Sequence, residues 1–450
     1  MIIKNADIIG EKRIFGCLRI EDGKIKEIAK DIAPFDGEDI IDAEGNFLFP
    51  GGIDPHTHLQ MENALAKVSD SYETGTLAAL KGGTTTIINF ATGKPDMTLR
   101  ESYLEEMRRA EKSSCNYRFH MELVSITDDI LKEMQDMMDL DVTSFKIYMA
   151  YTFRIGDRDI YKVLKRAKEI GALVESHCEN GELLDEIMED LVKEGKNNAN
   201  YQEVAHPNLA EAEAISRLCY ISKLADHPVH VVHLSTKEGL EEIKNKRKEG
   251  FKVTAETCTQ YLLIDNSVYD LDKKEASKYV YAPPAHSKKD VEEIKKGVLD
   301  KEIITLGTDH CPFDFQTLKT KSEDLRKIPG GLPGIENRVE VAYTILVNDN
   351  NMPVEDFVEF MSTNSAKLYN MYPDRGVIKE GSIADLVIYE KNSEHIIDVK
   401  DQLMNVDYNP YQGFKVKGRV KDVFLKGEHV VSDGKVIKKY LGEYAKNASK

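Results

Sequence analysis

No run of eighteen apolar residues occurs anywhere in this chain of 450 residues, so no membrane-spanning helix is expected. Positive charge is also in deficit: 61 Lys and Arg face 78 Asp and Glu, a net charge of -17. That balance argues against nucleic acid and against anionic membrane surfaces as partners. The six cysteines, at positions 17, 115, 178, 219, 258 and 311, are scattered. They contain no C-x-x-C pair and no disulfide-framework spacing. The amino terminus, Met1-Ile2-Ile3-Lys4-Asn5, reads as the start of a strand and lacks the apolar core and cleavage site of a signal peptide. A cytoplasmic location is therefore expected. Internal repeats and low-complexity segments are absent too, and no G-x-G-x-x-G follows an early strand, which weighs against a doubly wound dinucleotide fold.

What is present is an ordinary globular composition, 41% hydrophobic and 31% charged, in a chain long enough for one large domain and a smaller one. Residues 1–50 are short alternating segments, Ile2–Ile9, Gly16–Glu21 and Lys24–Ile28, with a hairpin signal at Asp22-Gly23. A second β-rich set lies at the far end, in Ala384–Tyr389, Gly413–Val420 and Val423–Val431, with turns at Lys426-Gly427-Glu428 and Asp433-Gly434. Two β-rich ends around a long middle predict one small β-sandwich assembled from both termini, 1–50 and 376–440. The middle, 51–375, alternates apolar β-branched runs with charged, helix-like stretches, the pattern of parallel βα units. Eight runs stand out: Gly52–His58, Thr84–Ala91, Phe119–Ile126, Thr143–Ala150, Ala172–His177, Val229–Leu234, Lys252–Thr257 and Ile303–Asp309. Eight parallel strands with intervening helices predict a TIM-like (β/α)8 barrel, so the fold class is α/β. The polar end of the chain, Lys438–Lys450 with 441–450 as its tail, lacks a core pattern and is expected to be disordered or laid on a neighbouring subunit.

Metal-compatible residues cluster at the carboxyl ends of these runs, where barrel active sites form. The first run ends in Asp54-Pro55-His56-Thr57-His58, and period-two alternation puts the two imidazoles on one side. The fifth ends in Glu175-Ser176-His177, the sixth in His230-Val231-Val232-His233 and the eighth in Gly307-Thr308-Asp309-His310. In the sixth run the histidines are three apart and on a strand face opposite sides. His233, nearer the carboxyl end, is the better ligand, with His230 turned towards the helices. The fourth run carries Lys146 in Ser144-Phe145-Lys146-Ile147-Tyr148-Met149-Ala150-Tyr151. Burial lowers the pKa of such a lysine, and a neutral amine reacts with carbon dioxide to give a carbamate. That anion would bridge two divalent ions where an ammonium would repel them.

His56-x-His58, Lys146, His177, His233 and Asp309 resemble, in order and strand position, the metal ligands of the binuclear amidohydrolase superfamily. The motifs Gly51-Gly52-Ile53-Asp54-Pro55-His56-Thr57-His58-Leu59, Phe145-Lys146-Ile147-Tyr148-Met149-Ala150-Tyr151, His177-Cys178-Glu179-Asn180-Gly181, Thr308-Asp309-His310-Cys311-Pro312-Phe313 and Met404-Asn405-Val406-Asp407-Tyr408-Asn409-Pro410 resemble its dihydropyrimidinase and D-hydantoinase branch. The resemblance implies that His56 and His58 hold one divalent ion with Asp309, and that His177 and His233 hold the other. N6-carboxylated Lys146 and a hydroxide would bridge the pair. Tyr151 would donate to the developing oxyanion, and main-chain groups of Ala282 and Asn337 would contact the substrate ring. Asp309 would carry the proton from the attacking hydroxide to the leaving nitrogen. Zinc is the first expectation for the metal, with manganese, cobalt and iron open on the same ligands. The implied assembly is a homotetramer.

The activity so implied is hydrolysis of a cyclic amide, a dihydropyrimidine or a 5-substituted hydantoin, to an N-carbamoyl amino acid. Dihydroorotases and allantoinases share the ligands and form the alternative. Dihydroorotases usually carry His-x-His-x-Arg, whereas the corresponding residue here is Gln60. A non-catalytic scaffold is a further alternative, but such relatives have lost ligand positions that are all kept here. Two departures bear on specificity. Ala282 stands where the branch often has serine, and the loop Gln60-Met61-Glu62-Asn63-Ala64-Leu65-Ala66-Lys67 is more polar than an aromatic-hydantoin gate, so that Glu62 at the mouth would favour a polar or small substituent.

Overall fold

The computed structural model describes residues 1–449. Two sheets organise it. The first collects β1 (Ile2–Ile9), β2 (Arg13–Glu21), β3 (Lys24–Ala29), β4 (Ile40–Asp42) and β5 (Phe47–Pro50) from the amino-terminal end. The second is the barrel: β6 (Gly52–Thr57), β7 (Thr84–Ala91), β8 (Asn116–Glu122), β9 (Ser144–Tyr148), β10 (Leu173–His177), β11 (Val229–Val231), β12 (Val253–Cys258) and β13 (Thr305–Gly307). The chain then returns to the first sheet with β14 (Leu386–Ile396), β15 (Lys415–Leu425), β16 (Glu428–Ser432) and β17 (Lys435–Val436).

The barrel strands pair in chain order, every pair parallel. The ring closes between its first and last strands. Asp54 accepts from the Thr308 amide at 3.1 Å and from its hydroxyl at 2.6 Å, and the His58 amide donates to the His310 carbonyl at 3.0 Å. In-register neighbours on parallel strands share a face. Glu122 is registered with Lys146, Lys146 with Glu175, Glu175 with His230 and His230 with Thr254. This set lines the barrel interior. The alternate residues Phe119, Phe145, Val174, Val231, Ala255 and Leu306 face outward and are buried in one core with helix residues such as Ile160, Leu164, Ile215 and Leu218. The surrounding helices carry their own stop and start signals. Thr98 and Ser287 open helices with capping boxes, and Gly171, at φ 72°, ends the helix Asp157–Ile170.

The terminal sheet has the order β17-β16-β15-β14-β5-β1-β2-β3, with β4 added beside β1. It is a sandwich whose layers belong to one continuous ladder. Lys24 bridges to Ile383, and the Ala384 amide donates to Gly23, so the far end of the ladder meets the start of β14. Between the layers lie Ile3, Ala6, Ile8, Leu18, Ile20, Ile25, Leu48, Leu386, Ile388 and Phe424.

Four sequence expectations need correction. The strands expected at Gly413–Val420 and Val423–Val431 are one long β15 followed by a hairpin. The turn is Lys426-Gly427, with φ values of 50° and 77°, matching the twist a two-residue hairpin requires. The third barrel strand begins at Asn116, three residues before the expected Phe119, and ends at Glu122. Its polar start hid it, yet Arg118 is buried there, donating to the Asp141 carbonyl at 2.6 Å. His230 faces the barrel interior, not the helices, because β11 ends at Val231 and alternation does not carry through to His233. The end of the chain is laid along its own barrel. The Tyr117 amide donates to Glu443, the Ala445 amide donates back to Tyr117 at 2.8 Å, and Tyr444 packs edge-on to Tyr103 and Tyr117.

Candidate metal centre and active site

The predicted ligands converge on the carboxyl half of the barrel: His56 and His177 on the last residues of their strands, His58, His233 and Asp309 one to two residues beyond theirs, and Lys146 lower down, at the middle of β9. His56 and His58 are delivered by β6, and Asn89 of β7 anchors the turn after them, accepting from the Leu59 amide at 2.7 Å and the Thr57 hydroxyl at 3.0 Å. Gly307 precedes Thr308-Asp309, and a side chain there would meet Cβ of His56 at 2.9 Å and the Glu256 carboxylate at 3.0 Å. Glycine is what lets β13 approach β6 this closely. Asp309 Oδ1 lies 3.1 Å from His58 Nε2 and 3.3 Å from His56 Nε2. One ligand atom from each of these three residues lies within 4.8 Å of the others. A second pair stands beside them, with His177 Nδ1 3.0 Å from His233 Nε2 and the His56 and His233 rings 5.2 Å apart. Lys146 is buried, and its Nζ lies over the Phe90 ring at 4.6 Å and the Tyr148 ring at 5.3 Å. The His56 and His58 rings both rest on that same Phe90, at 4.7 Å.

Two carboxylates outside the predicted set fix the imidazoles. Glu256 Oε1 lies 2.7 Å from His56 Nδ1, and Glu179 Oε2 lies 2.8 Å from His177 Nε2. A carboxylate at that distance takes the ring N–H, which leaves the opposite nitrogen of each ring as a bare lone pair turned to the centre of the cluster. His206 Nδ1 holds the other oxygen of Glu179 at 2.8 Å. Burial pulls the His56 and His233 imidazoles well below their ordinary pKa, so both are neutral, the form that binds metal. Burial also lowers the Lys146 amine against the opposing pull of Glu175, Glu256 and Asp309, and raises Glu256. Neutral imidazoles, two of them (His56 and His177) backed by carboxylates, together with a carboxylate and an amine prone to lose its proton, fit divalent ions of the zinc, manganese, cobalt or iron type.

Tyr151 meets the geometric condition for a role here. It has φ 70°, which turns the chain after β9 and brings its ring to 4.8 Å from that of His177, stacked on Phe153 at 5.4 Å. His233 and Asp309 also adopt positive φ, 39° and 52°. Left-handed backbone in a non-glycine residue costs on the order of 1–3 kcal/mol and concentrates at functional sites. Burial raises the Tyr151 phenol well above its ordinary pKa, so it remains a proton donor. Ala282 has only a methyl side chain, and the Asn337 side chain makes no hydrogen bond to the histidine cluster among the described residues. Ala282 is half-buried on the loop after β12, two residues beyond Val280, whose carbonyl accepts from the Gly331 amide at 2.9 Å. The Asn337 side chain accepts from Asn409 at 2.9 Å beside a separate cavity of about 290 Å³. Any ring contact from Asn337 is thus left to its main chain. Gln60 turns its side chain to the amide of Tyr72 at 3.3 Å, and Glu62 is exposed on a small hairpin closed against Lys67.

The amidohydrolase family model matches residues 47–430, which take in the whole barrel and, of the terminal sheet, β5, β14, β15 and the start of β16. The chain belongs to the amidohydrolase family. Within it, the D-hydantoinase of Geobacillus stearothermophilus is 38% identical over 99% of this chain and 96% of that protein. The crystal structure of the dihydropyrimidinase from Brevibacillus agri NCHU1002 has a TM-score of 0.96 at 34% identity, covering 100% of this chain and 99% of the other. That of the L-hydantoinase (dihydropyrimidinase) from Arthrobacter aurescens has a TM-score of 0.89 at 25% identity, covering 99% of both chains. The amidohydrolase chain is therefore a member of the hydantoinase branch over its full length. That membership and the His56–His58–Asp309 group together support use of a divalent metal. No helix among the described residues is long and apolar enough to cross a membrane.

Glu256, Glu179 and Phe90 went unrecognised in the sequence. The signal for Glu256 was there, since a carboxylate inside the apolar run Lys252–Thr257 is as anomalous as Lys146 in its own.

Proposed function

We propose that this chain hydrolyses a cyclic amide, a dihydropyrimidine or a 5-substituted hydantoin, to an N-carbamoyl amino acid, using two divalent ions with zinc as first choice. The observation that carries the proposal is the convergence of His56, His58 and Asp309 beside the His177–His233 pair, in a chain that aligns end to end with hydantoinases. In this reading His56, His58 and Asp309 would hold one ion and His177 and His233 the other, with Lys146, as its carbamate, a ligand that could serve both. When bound, the ions supply Lewis acidity and water activated at neutral pH.

The chain's own groups account for the rest. Asp309 takes the proton as water oxygen bonds to the ring carbonyl carbon, then delivers it to the ring nitrogen as the C–N bond breaks. The Tyr151 phenol, protonated at neutral pH, donates to the oxygen on which negative charge develops. The backbone at Ala282 and Asn337 orients the ring. Glu256 and Glu179 hold His56 and His177 in the tautomer the site requires. Gln60, engaged with the Tyr72 amide, offers no cation to a ring carboxylate, which favours a dihydropyrimidine or hydantoin over dihydroorotate. Division into a sandwich of 1–50 and 376–440, a barrel of 51–375 and a 441–450 tail belongs to the proposal, as do a homotetramer and a cytoplasmic location. Six buried cysteines, all free, suit the reducing compartment.

The test is a hydrolysis panel of dihydrouracil, hydantoin, 5-substituted hydantoins, allantoin and dihydroorotate with metal-replete protein. Dihydrouracil or a hydantoin should exceed dihydroorotate in kcat/KM by a wide margin. Comparable values for dihydroorotate, or no turnover of any uncharged ring, would overturn the assignment.

A further inference from the structure

Lys319 lies on the long segment between Asp309 and the helix Arg338–Tyr343, and its side chain is wholly buried. Among the described residues no carboxylate lies within ion-pair distance of it. Its Nζ instead donates to two main-chain carbonyls, Val280 at 2.8 Å and Pro329 at 3.2 Å. Burial pushes its pKa down to about 7. Either protonation state has the hydrogens for this arrangement, since the ammonium carries three N–H groups and the amine two.

The two carbonyls belong to different walls of the barrel mouth. Val280 precedes Ala282, and its oxygen also accepts from the Gly331 amide at 2.9 Å. Two residues past Pro329, Gly331 packs against Cys311 so closely that a side chain there would meet the Cys311 carbonyl oxygen at 2.2 Å. The Cys311 amide donates to Leu332 at 2.9 Å, and Cys311 is two residues from Asp309. The Gly331–Val280 bond thus links the Asp309 segment, through 329–332, to the backbone around Ala282, and the Lys319 amine adds a second tie across the same junction. No other side chain donates to these two carbonyls among the described residues.

We propose that Lys319 is a positioning residue that, through its bonds to the Val280 and Pro329 carbonyls, locks the Ala282 backbone at a fixed distance from Asp309, so that the substrate ring is held in line with its proton shuttle. The inference rests on the ring-binding role of Ala282 given above. A methionine at this site has similar length and no donor, and leaves the Pro329 carbonyl buried without its partner.

The experiment compares Lys319→Met and Lys319→Gln with the parent protein, metal-loaded, on the best substrate of the panel. Metal content and amide hydrogen exchange over 279–286 and 328–334 are measured on the same preparations. Loss of the clamp is expected to raise KM about tenfold, the equivalent of one to two hydrogen bonds, with kcat changed far less and metal content unchanged. Exchange should quicken in those two stretches alone, with Lys319→Gln intermediate because its shorter amide reaches at most one carbonyl. Unchanged KM and unchanged exchange would overturn the proposal. So would a fall in kcat, metal content and Tm together with exchange quickened throughout, which marks ordinary core packing. Should the parent turn over none of the panel, the functional reading fails by itself, and confined or unconfined exchange still decides for or against the clamp.

Discussion

The sandwich core and the barrel interior are equally sealed from water but filled by opposite chemistry. Between the layers of the terminal sheet lies an apolar cluster, Ile3, Ile8, Leu18, Leu48, Leu386 and Phe424 among them. Inside the barrel, Arg118, His120, Lys146, Glu175, His230 and Glu256 are all buried. Among the described residues, none of the buried polar atoms that lack a hydrogen-bond partner belongs to a strand of the terminal sheet. Glu175 Oε1, Glu256 Oε2, His58 Nδ1, His230 Nε2 and His233 Nδ1 are all such atoms at or below the barrel mouth. Burying an unpaired polar group costs about 1–3 kcal/mol, more when it is charged. The sheet is therefore built for stability, and the barrel interior gives up stability to hold a reactive centre, with the outward apolar face of the same strands making good the loss.

The comparison is tested most severely at Lys146. Lys146→Ala should empty at least one metal position and abolish turnover, with short carboxylic acids restoring part of it by standing in for the carbamate. Undiminished metal content and rate would remove the bridging role. Tyr151→Phe comes next. Loss of one oxyanion donor typically costs about 10²–10³ in kcat, and metal content should not change. Steady-state kinetics beside metal analysis of one preparation decides it, and near-normal kcat would return Tyr151 to a packing role. Glu256→Gln keeps the shape but weakens the hold on the His56 N–H, and should lower metal affinity or activity about 10–100-fold, read by metal titration. In the sandwich, Leu386→Ala should behave in the opposite way. It should cost about 2–5 kcal/mol of unfolding free energy in a denaturant titration and leave kcat of the folded protein unchanged.

The barrel was legible in the sequence because its strands are apolar on their helix-facing side and carry their anomalies inward. Lys146 in its run, and histidines at four run ends, marked the mouth for that reason. The same rule applied to Glu175 and Glu256 would have exposed the carboxylates beneath the site. His230 was misplaced because period-two alternation holds only while the strand lasts, and β11 stops at Val231. The positive φ angle of Tyr151 left no trace in residue type, and the modest preference of histidine and aspartate for that region is too weak to mark His233 and Asp309 as glycine would. The tail was misread because it is held by a main-chain pairing with Tyr117, aromatic edges and the side-chain bonds of Asn447 to Arg118 and Asp141, which produce no hydrophobic period.

The central claim is that the buried polar interior is completed by metal, and elemental analysis of the active protein tests it most directly. The account predicts about two divalent ions per chain, activity lost on chelation and regained when the ions are returned. A fully active preparation with no bound metal would contradict it.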